Sequence, residues 1–455
     1  MPSSILAKLA SLALGLHFAV SPSFGQDVYP GTESAPLTPA DGERFVIAEA
    51  SSLPPGEGPG YVDSKGGSKA SVEIHPGNEV SAVPKRFQYA FRLNLRGVYD
   101  DNIFLTNTNR VDDFYFAIEP GLTLGYGDIV GRDANYIRFD YAPSIFLFAD
   151  NSDADAIQHL FRLEGRYSFG HLGLSISQDV HLLEGANLGS TLSDTTSPVS
   201  GVNLDTGGDT EVNIFTTRAN LTYDLTGKTF LSGGLFFTVY DYEDLISSDT
   251  ISGNLFINYN YSPKLVVGFG GTAGYNWVDS DNPDQSFEQI NIRTTYQISG
   301  KVSLNASVGV EFRQFEDNLR GEGYISPVYE LGATYQPFPG TTLTARGSRR
   351  SLNSAVLQAQ NYASTNITFG ARQRLLRRIY LGLTAGYENS DYYNTVEFVN
   401  ASRSDNYVFV QPAVDVTLTE FWTAGVYYLH RNNDSSFGSF SFNDNQVGLR
   451  TSLSY

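Results

Sequence analysis

The chain has 455 residues, a formal net charge of −19, 30 Phe, 28 Tyr, 44 Gly, 1 Met and no Cys. So acidic a chain argues against nucleic acid as a partner, and a mean hydropathy of −0.21 is too polar for a bundle of membrane helices. A cysteine-free chain fits handling in an oxidising periplasm, although such chains are common elsewhere.

Residues 1–25 read as a secretory signal: Lys8 is basic, residues 9–20 form an apolar core broken by Ser11 and His17, and Ser23-Phe24-Gly25 offers small residues at the cleavage position. Residues 26–86 carry Pro30, Pro36, Pro39, Pro54, Pro55, Pro59, Pro76 and Pro84 among Gly and Ser. Such a segment buries too little to offset its ordering entropy and is expected to be a disordered periplasmic linker. A docking segment or a partial plug of the lumen is the alternative.

From Phe87 the pattern changes to a period of two. Phe91, Leu93 and Leu95 alternate with Arg92, Asn94 and Arg96; after a polar loop, Phe114, Phe116, Ile118, Leu122 and Leu124 alternate with Tyr115, Ala117, Glu119 and Thr123. Alternation puts the apolar set on one face of a strand and the polar set on the other. The run Val98-Tyr99-Asp100-Asp101-Asn102-Ile103-Phe104, with Asp112-Asp113-Phe114 and Ile118-Glu119-Pro120-Gly121-Leu122, resembles the start of the β-barrel porin 2 family. The resemblance is sharpest over residues 87–128. It implies an outer-membrane barrel with porin-like or exopolysaccharide-export work, and it supplies no catalytic residues.

Downstream, two kinds of connection alternate. Short ones include Phe169-Gly170-His171, Ser262-Pro263-Lys264, Ser299-Gly300-Lys301, Phe338-Pro339-Gly340 and Leu376-Arg377-Arg378. Long ones, rich in Asp, Asn and Ser, cover residues 100–112, 150–156, 185–210, 242–250, 279–286, 316–323, 352–360, 391–405 and 432–444. This alternation is expected of an all-β, transmembrane antiparallel β-barrel of about 18 strands occupying residues 87–455, with short periplasmic turns and longer extracellular loops. Tyr223, Tyr261, Tyr296, Tyr335 and Trp422 lie beside short turns, where an aromatic belt belongs. The last strand alternates Val447, Leu449, Thr451, Leu453 and Tyr455 with polar or small residues, and its terminal aromatic resembles the signal read by the barrel assembly machinery. Four in-strand prolines, Pro120, Pro143, Pro327 and Pro412, share the outward parity and suggest bulges or bends.

Parity also assigns the pore lining. The first strands turn Arg92, Arg96, Glu119, Arg138, Asp140, Arg162, Glu164 and Arg166 inward. Arg218, Arg293, Glu311, Arg313, Glu330, Arg346, Arg350, Arg372, Glu388, Asp415 and Arg450 follow on later strands. A wall this charged does not face lipid. It is either a cross-linked, stiffening lining or a charged constriction. Arg outnumbers acid inside, which favours anions or saccharides, and Arg92 and Arg450 are expected at similar heights in a positive patch at the closing seam. Loop 185–210, with Leu188, Leu192, Val199, Val202 and Leu204 to pack, is the candidate constriction loop.

The acidic loops lack calcium-loop spacing and read as solvated charge, so no metal or cofactor is expected. His159, His181 and His430 sit in no hydrolase motif, which argues against an enzyme. Expected partners are outer-membrane lipid, lipopolysaccharide, the assembly machinery, and small hydrophilic solutes or polysaccharide. Porins are often trimers, which leaves a homotrimer open. The expected activity is passive diffusion of small hydrophilic solutes in the cell outer membrane; the alternatives are an accessory to exopolysaccharide export or a structural barrel with a closed lumen.

Overall fold

The computed structural model describes residues 87–127, 135–185, 202–208, 210–279, 282–316, 323–396 and 403–454. The expected signal, the linker and Tyr455 lie outside them. Eighteen strands follow one another: β1 (Phe87–Asp100), β2 (Asp113–Gly127), β3 (Tyr136–Phe148), β4 (Ala156–Phe169), β5 (Leu172–Leu183) and β6 (Val212–Asp224). Next come β7 (Thr229–Tyr242), β8 (Ser248–Ser262), β9 (Leu265–Val278), β10 (Gln285–Ser299), β11 (Val302–Phe315) and β12 (Tyr324–Tyr335). The chain finishes with β13 (Thr341–Asn353), β14 (Gln360–Leu375), β15 (Ile379–Asn394), β16 (Ser404–Thr419), β17 (Trp422–Ser435) and β18 (Phe442–Ser454). Each strand pairs antiparallel with its sequence neighbours, and β1 also pairs with β18, so the sheet closes on itself as an all-β transmembrane barrel.

The alternation explains the closure. Leu265, Val267, Phe269 and Trp277 on β9 share one face, and Val267, Phe269 and Trp277 are exposed; Val266, Asn276 and Val278 on the other face are buried. The same outward apolar row recurs from strand to strand, giving an exposed apolar wall far larger than a water-soluble protein tolerates. Tyr223, Tyr261, Tyr296, Tyr335 and Trp422 are all exposed beside the short connections. A closed ring leaves no edge strand for aggregation.

Several strands run further than the sequence pattern marks. The β15 strand reaches Asn394 and β17 reaches Ser435, where polar side chains on both faces mimic a loop. The prolines carry no bulges. Register shifts fall instead near short connections, at Asn260/Ser262, Gln297/Ser299 and Thr417/Thr419. Pro120 and Pro143 lie in the interval between the pairs Ile118↔Ile145 and Leu122↔Tyr141, where the ladder breaks without changing register. Proline has no N–H to donate, so the break follows from its chemistry.

Pro327 has a larger effect. The β12–β13 ladder ends at Tyr329↔Arg349, two residues short of it, while β11–β12 continues to Arg313↔Tyr324. Above that point β13 leaves the wall.

Candidate functional site in the lumen

The upper β13–β14 hairpin folds into the barrel. Asn353 accepts a hydrogen bond from Ser248 on β8 (3.5 Å) and one from Asn276 on β9 (3.2 Å). Asn361 and Gln285 on β10 exchange hydrogen bonds at 2.7 and 3.1 Å. Strands β8 to β10 are three to five positions away around the ring, so only a chord across the lumen makes these contacts. Behind the hairpin, Tyr324 of β12 stacks on Tyr393 of β15 with ring centroids 3.9 Å apart. Those two strands are separated in the sheet by the hairpin that has left.

A second inward segment meets it. Residues 202–208, part of the connection between β5 and β6, run into the mouth at the long-loop end, with Val202 and Leu204 buried as expected of a constriction loop. Asp205 accepts hydrogen bonds from the Ala355 amide (2.6 Å), the Ser354 hydroxyl (2.7 Å) and the Tyr392 hydroxyl (2.9 Å). Burial holds its carboxyl above the ordinary range, and these donors, together with Arg403, offset only part of that rise. Arg403, 1 % exposed, donates to the Leu204 carbonyl (2.5 Å) and the Asp205 carbonyl (3.0 Å), pairs with Asp405 (2.8 Å), and stacks over Phe440. Asp205 thus latches the loop to the hairpin, and Arg403 ties the same loop to Asp405 on β16. The loop also touches the β1–β2 connection so closely that a Cβ on Gly208 would stand 2.3 Å from the Phe104 carbonyl oxygen. Residues 186–201, with Leu188, Leu192 and Val199, lie outside the described residues.

Much of the mouth is filled. An apolar cluster joins Val98, Tyr115 and Phe146 of β1–β3 to Ile103, Leu105, Val202 and Leu204 of the loops and to Tyr407, Phe409, Tyr427 and Leu429 of β16 and β17. A smaller cluster holds Val212, Ile214, Tyr240, Tyr242 and Ala355. Across the barrel the wall is mixed: Asn276, Asn291, Glu311, Glu330, Arg346 and Arg350, with Phe236, Phe287 and Val328, line a cavity of about 200 Å³.

The charged residues assigned by parity share the more buried parity of their strands, and many of the arginines are tied to acids. Arg96 meets Glu119 at 2.8 Å, and Arg138 meets Asp140 at 2.8 Å. Arg162 reaches Glu164 (3.3 Å) and Asp179 (3.7 Å), and Arg218 also pairs with Asp179. Arg313 meets Glu311 at 3.0 Å and Arg450 meets Asp415 at 2.6 Å. Arg293 stacks over Phe256 and donates to Asn258, while Arg372 stacks over Tyr380. Arg166 lies opposite Tyr136 in the β3–β4 register, beside Glu164.

The expected seam patch is corrected in two ways. Arg450 lies opposite Arg96, whereas Arg92 lies opposite Ser454. Arg92 instead lays its stem over Gly121 of β2, where a Cβ would collide with it. With Arg96 and Arg450 each bound to a carboxylate, the seam is neutralised and the continuous positive patch is absent among these residues. Asp179, Asp205, Arg403, Arg431 and Asp444 went unassigned by parity reading. Asp179 and Arg431 had the signal, since Asp179 shares parity with Ser175 and Ser177 and Arg431 with Tyr427 and Leu429; the others fall in stretches that read as loops. His159 and His430 face outward, His159 beside the Tyr141 and Phe161 rings, and His181 faces inward.

No family model and no curated protein matches the chain. Among solved structures it is similar to the outer membrane protein opdK from Pseudomonas aeruginosa, at 13% identity, covering 81% of this chain and 99% of that one with a TM-score of 0.42. OccAB3 from Acinetobacter baumannii gives 9% identity, 81% and 99% coverage and a TM-score of 0.43. The FrpB iron transporter from Neisseria meningitidis gives 11% identity, 76% and 62% coverage and a TM-score of 0.42.

Proposed function

We propose that the protein is an outer-membrane channel for passive diffusion of small hydrophilic solutes, narrowed at its extracellular end by its own loop and hairpin. An even-stranded barrel puts both ends of the barrel domain on the short-turn, periplasmic side and the long loops outside. The observation that carries the reading is the cavity on the β8–β13 side, where amides and charged side chains stand among apolar ones, beside a mouth otherwise filled with apolar side chains. Amides and charges of both signs fit solutes that exchange hydrogen bonds for water, either anions or saccharides. Planar-bilayer recording of purified protein tests this. Small, steady conductance steps are expected; a lipid-inserted barrel that never conducts refutes the reading.

The filled mouth favours one second reading, a structural surface barrel with a closed lumen. The same recording separates the two. A role beside exopolysaccharide export rests on the resemblance of residues 87–128 alone, and neighbouring genes would decide it.

A further inference from the structure

Three carboxylates converge where the first and last strands meet at the long-loop end. Asp100 closes β1, Asp101 follows it, and Asp444 lies on β18, two residues from Gln446, the Cα partner of Asp100. One carboxylate oxygen from each lies within 4.8 Å of the others. Asp100 is 1 % exposed and Asp444 0 %.

Protein donors satisfy most of this cluster. Asp101 accepts from the Asn445 backbone amide and from its Nδ2, both at 2.7 Å. Asp100 accepts from the Asn102 amide and from Gln446 Nε2, both at 2.8 Å. Asp444 Oδ2 takes Arg431 Nε at 2.5 Å and, more distantly, Gln446 Nε2 at 3.5 Å. Asp444 Oδ1, however, is buried with no donor. Three carboxylates therefore share one guanidinium, and the Asp100 and Asp444 carboxyls lie within hydrogen-bonding reach of each other with no nitrogen donor on Asp444 Oδ1, a contact that needs a proton or a cation between them. Burying an uncompensated carboxylate costs several kcal/mol as a rule, so native proteins pair such groups or give them a metal.

We propose that Asp100, Asp101 and Asp444 bind a divalent cation, with Ca²⁺ the best fit. All three offer hard oxygen atoms, and each carboxylate retains lone pairs beyond those its N–H donors occupy. Ca²⁺ accepts irregular oxygen shells, whereas Mg²⁺ demands near-octahedral geometry and holds its waters. The cation staples the end of β1 and the β1–β2 connection to β18. This does not depend on the channel reading.

The test is calorimetric titration of Ca²⁺ into the purified full chain, with thermal unfolding followed in Ca²⁺ and in EGTA. One Ca²⁺ per chain and a higher unfolding midpoint in Ca²⁺ than in EGTA are expected, with Mg²⁺ giving the smaller shift. Asp444→Asn should abolish both effects. Because that variant also weakens the Arg431 pair, Asp101→Asn, which leaves the pair intact, should lower affinity at least tenfold. Absence of binding, an equal response to Mg²⁺, or Ca²⁺ affinity unchanged in both variants would overturn the proposal. So would a wild-type midpoint indifferent to cations with Asp444→Asn raising it, since the two buried carboxylates would then be sharing a proton instead.

Discussion

Arg96 and Arg450 stand opposite each other as Cα partners across the β1–β18 junction, yet each guanidinium turns to its own acid, Glu119 at 2.8 Å and Asp415 at 2.6 Å. Two like charges are thereby held side by side without mutual exposure. The Arg96–Glu119 pair is sealed from water, with side chains 5% and 0% exposed. Breaking a buried pair from one side leaves an unpaired charge and costs about 3–5 kcal/mol. Glu119→Gln is therefore expected to lower the urea midpoint of the barrel clearly. Asp415→Asn should cost less, because its pair is partly solvated. Urea unfolding in detergent, followed by tryptophan fluorescence, compares the two variants.

Removing the arginines acts differently on permeation. Arg96→Gln with Arg450→Gln removes two positive charges from the inner wall and leaves the Glu119 and Asp415 carboxylates without these guanidinium partners. Reversal potential in a salt gradient should move toward cations. If the passage runs past the cavity on the β8–β13 side instead, Arg346→Gln with Arg350→Gln gives the larger shift, since both arginines line it.

Arg403 is the point at which to unlatch the mouth. Arg403→Ala removes the donors to the Leu204 and Asp205 carbonyls and leaves Asp405 without its arginine. Higher or noisier single-channel conductance is expected, with faster protease cleavage near residues 202–208. Asp205→Asn should act in the same direction more weakly, because the Ser354 and Tyr392 hydroxyls can still donate to its amide oxygen. Unchanged conductance in both variants would show that solutes do not pass the latch.

Deleting residues 26–83 removes none of the eighteen described strands, so a folded, heat-modifiable barrel is expected on gels. Replacing Tyr455 with Asp should impair assembly into the outer membrane, read by fractionation, if the terminal aromatic is part of the assembly signal.

Strand number, inner and outer faces and the aromatic belt were legible because alternation is a local property. The inward turn of residues 202–208 was legible too, from Val202 and Leu204 in a long loop. The hairpin was not. Ser351, Asn353 and Asn361 continue a normal alternation, and only their polarity at lipid-facing parity hints that this face never meets lipid. Pairings such as Arg218 with Asp179 depend on register, which joins residues 39 positions apart and leaves no trace in either strand alone. The Arg92–Arg450 expectation failed for the same reason.

The apolar cluster at the mouth straddles the junction of first and last strands, drawing on β1–β3 from one side and β16–β18 from the other. That junction joins the most distant parts of the barrel sequence, so it carries the greatest loop-closure entropy of any strand pair. In an empty tube it would be the place where the wall unzips. Here dehydration of the interior presses the two flanks together from within, as in a water-soluble core. The ring is locked at its own longest-range joint, and lateral opening of the wall there would first have to wet that core.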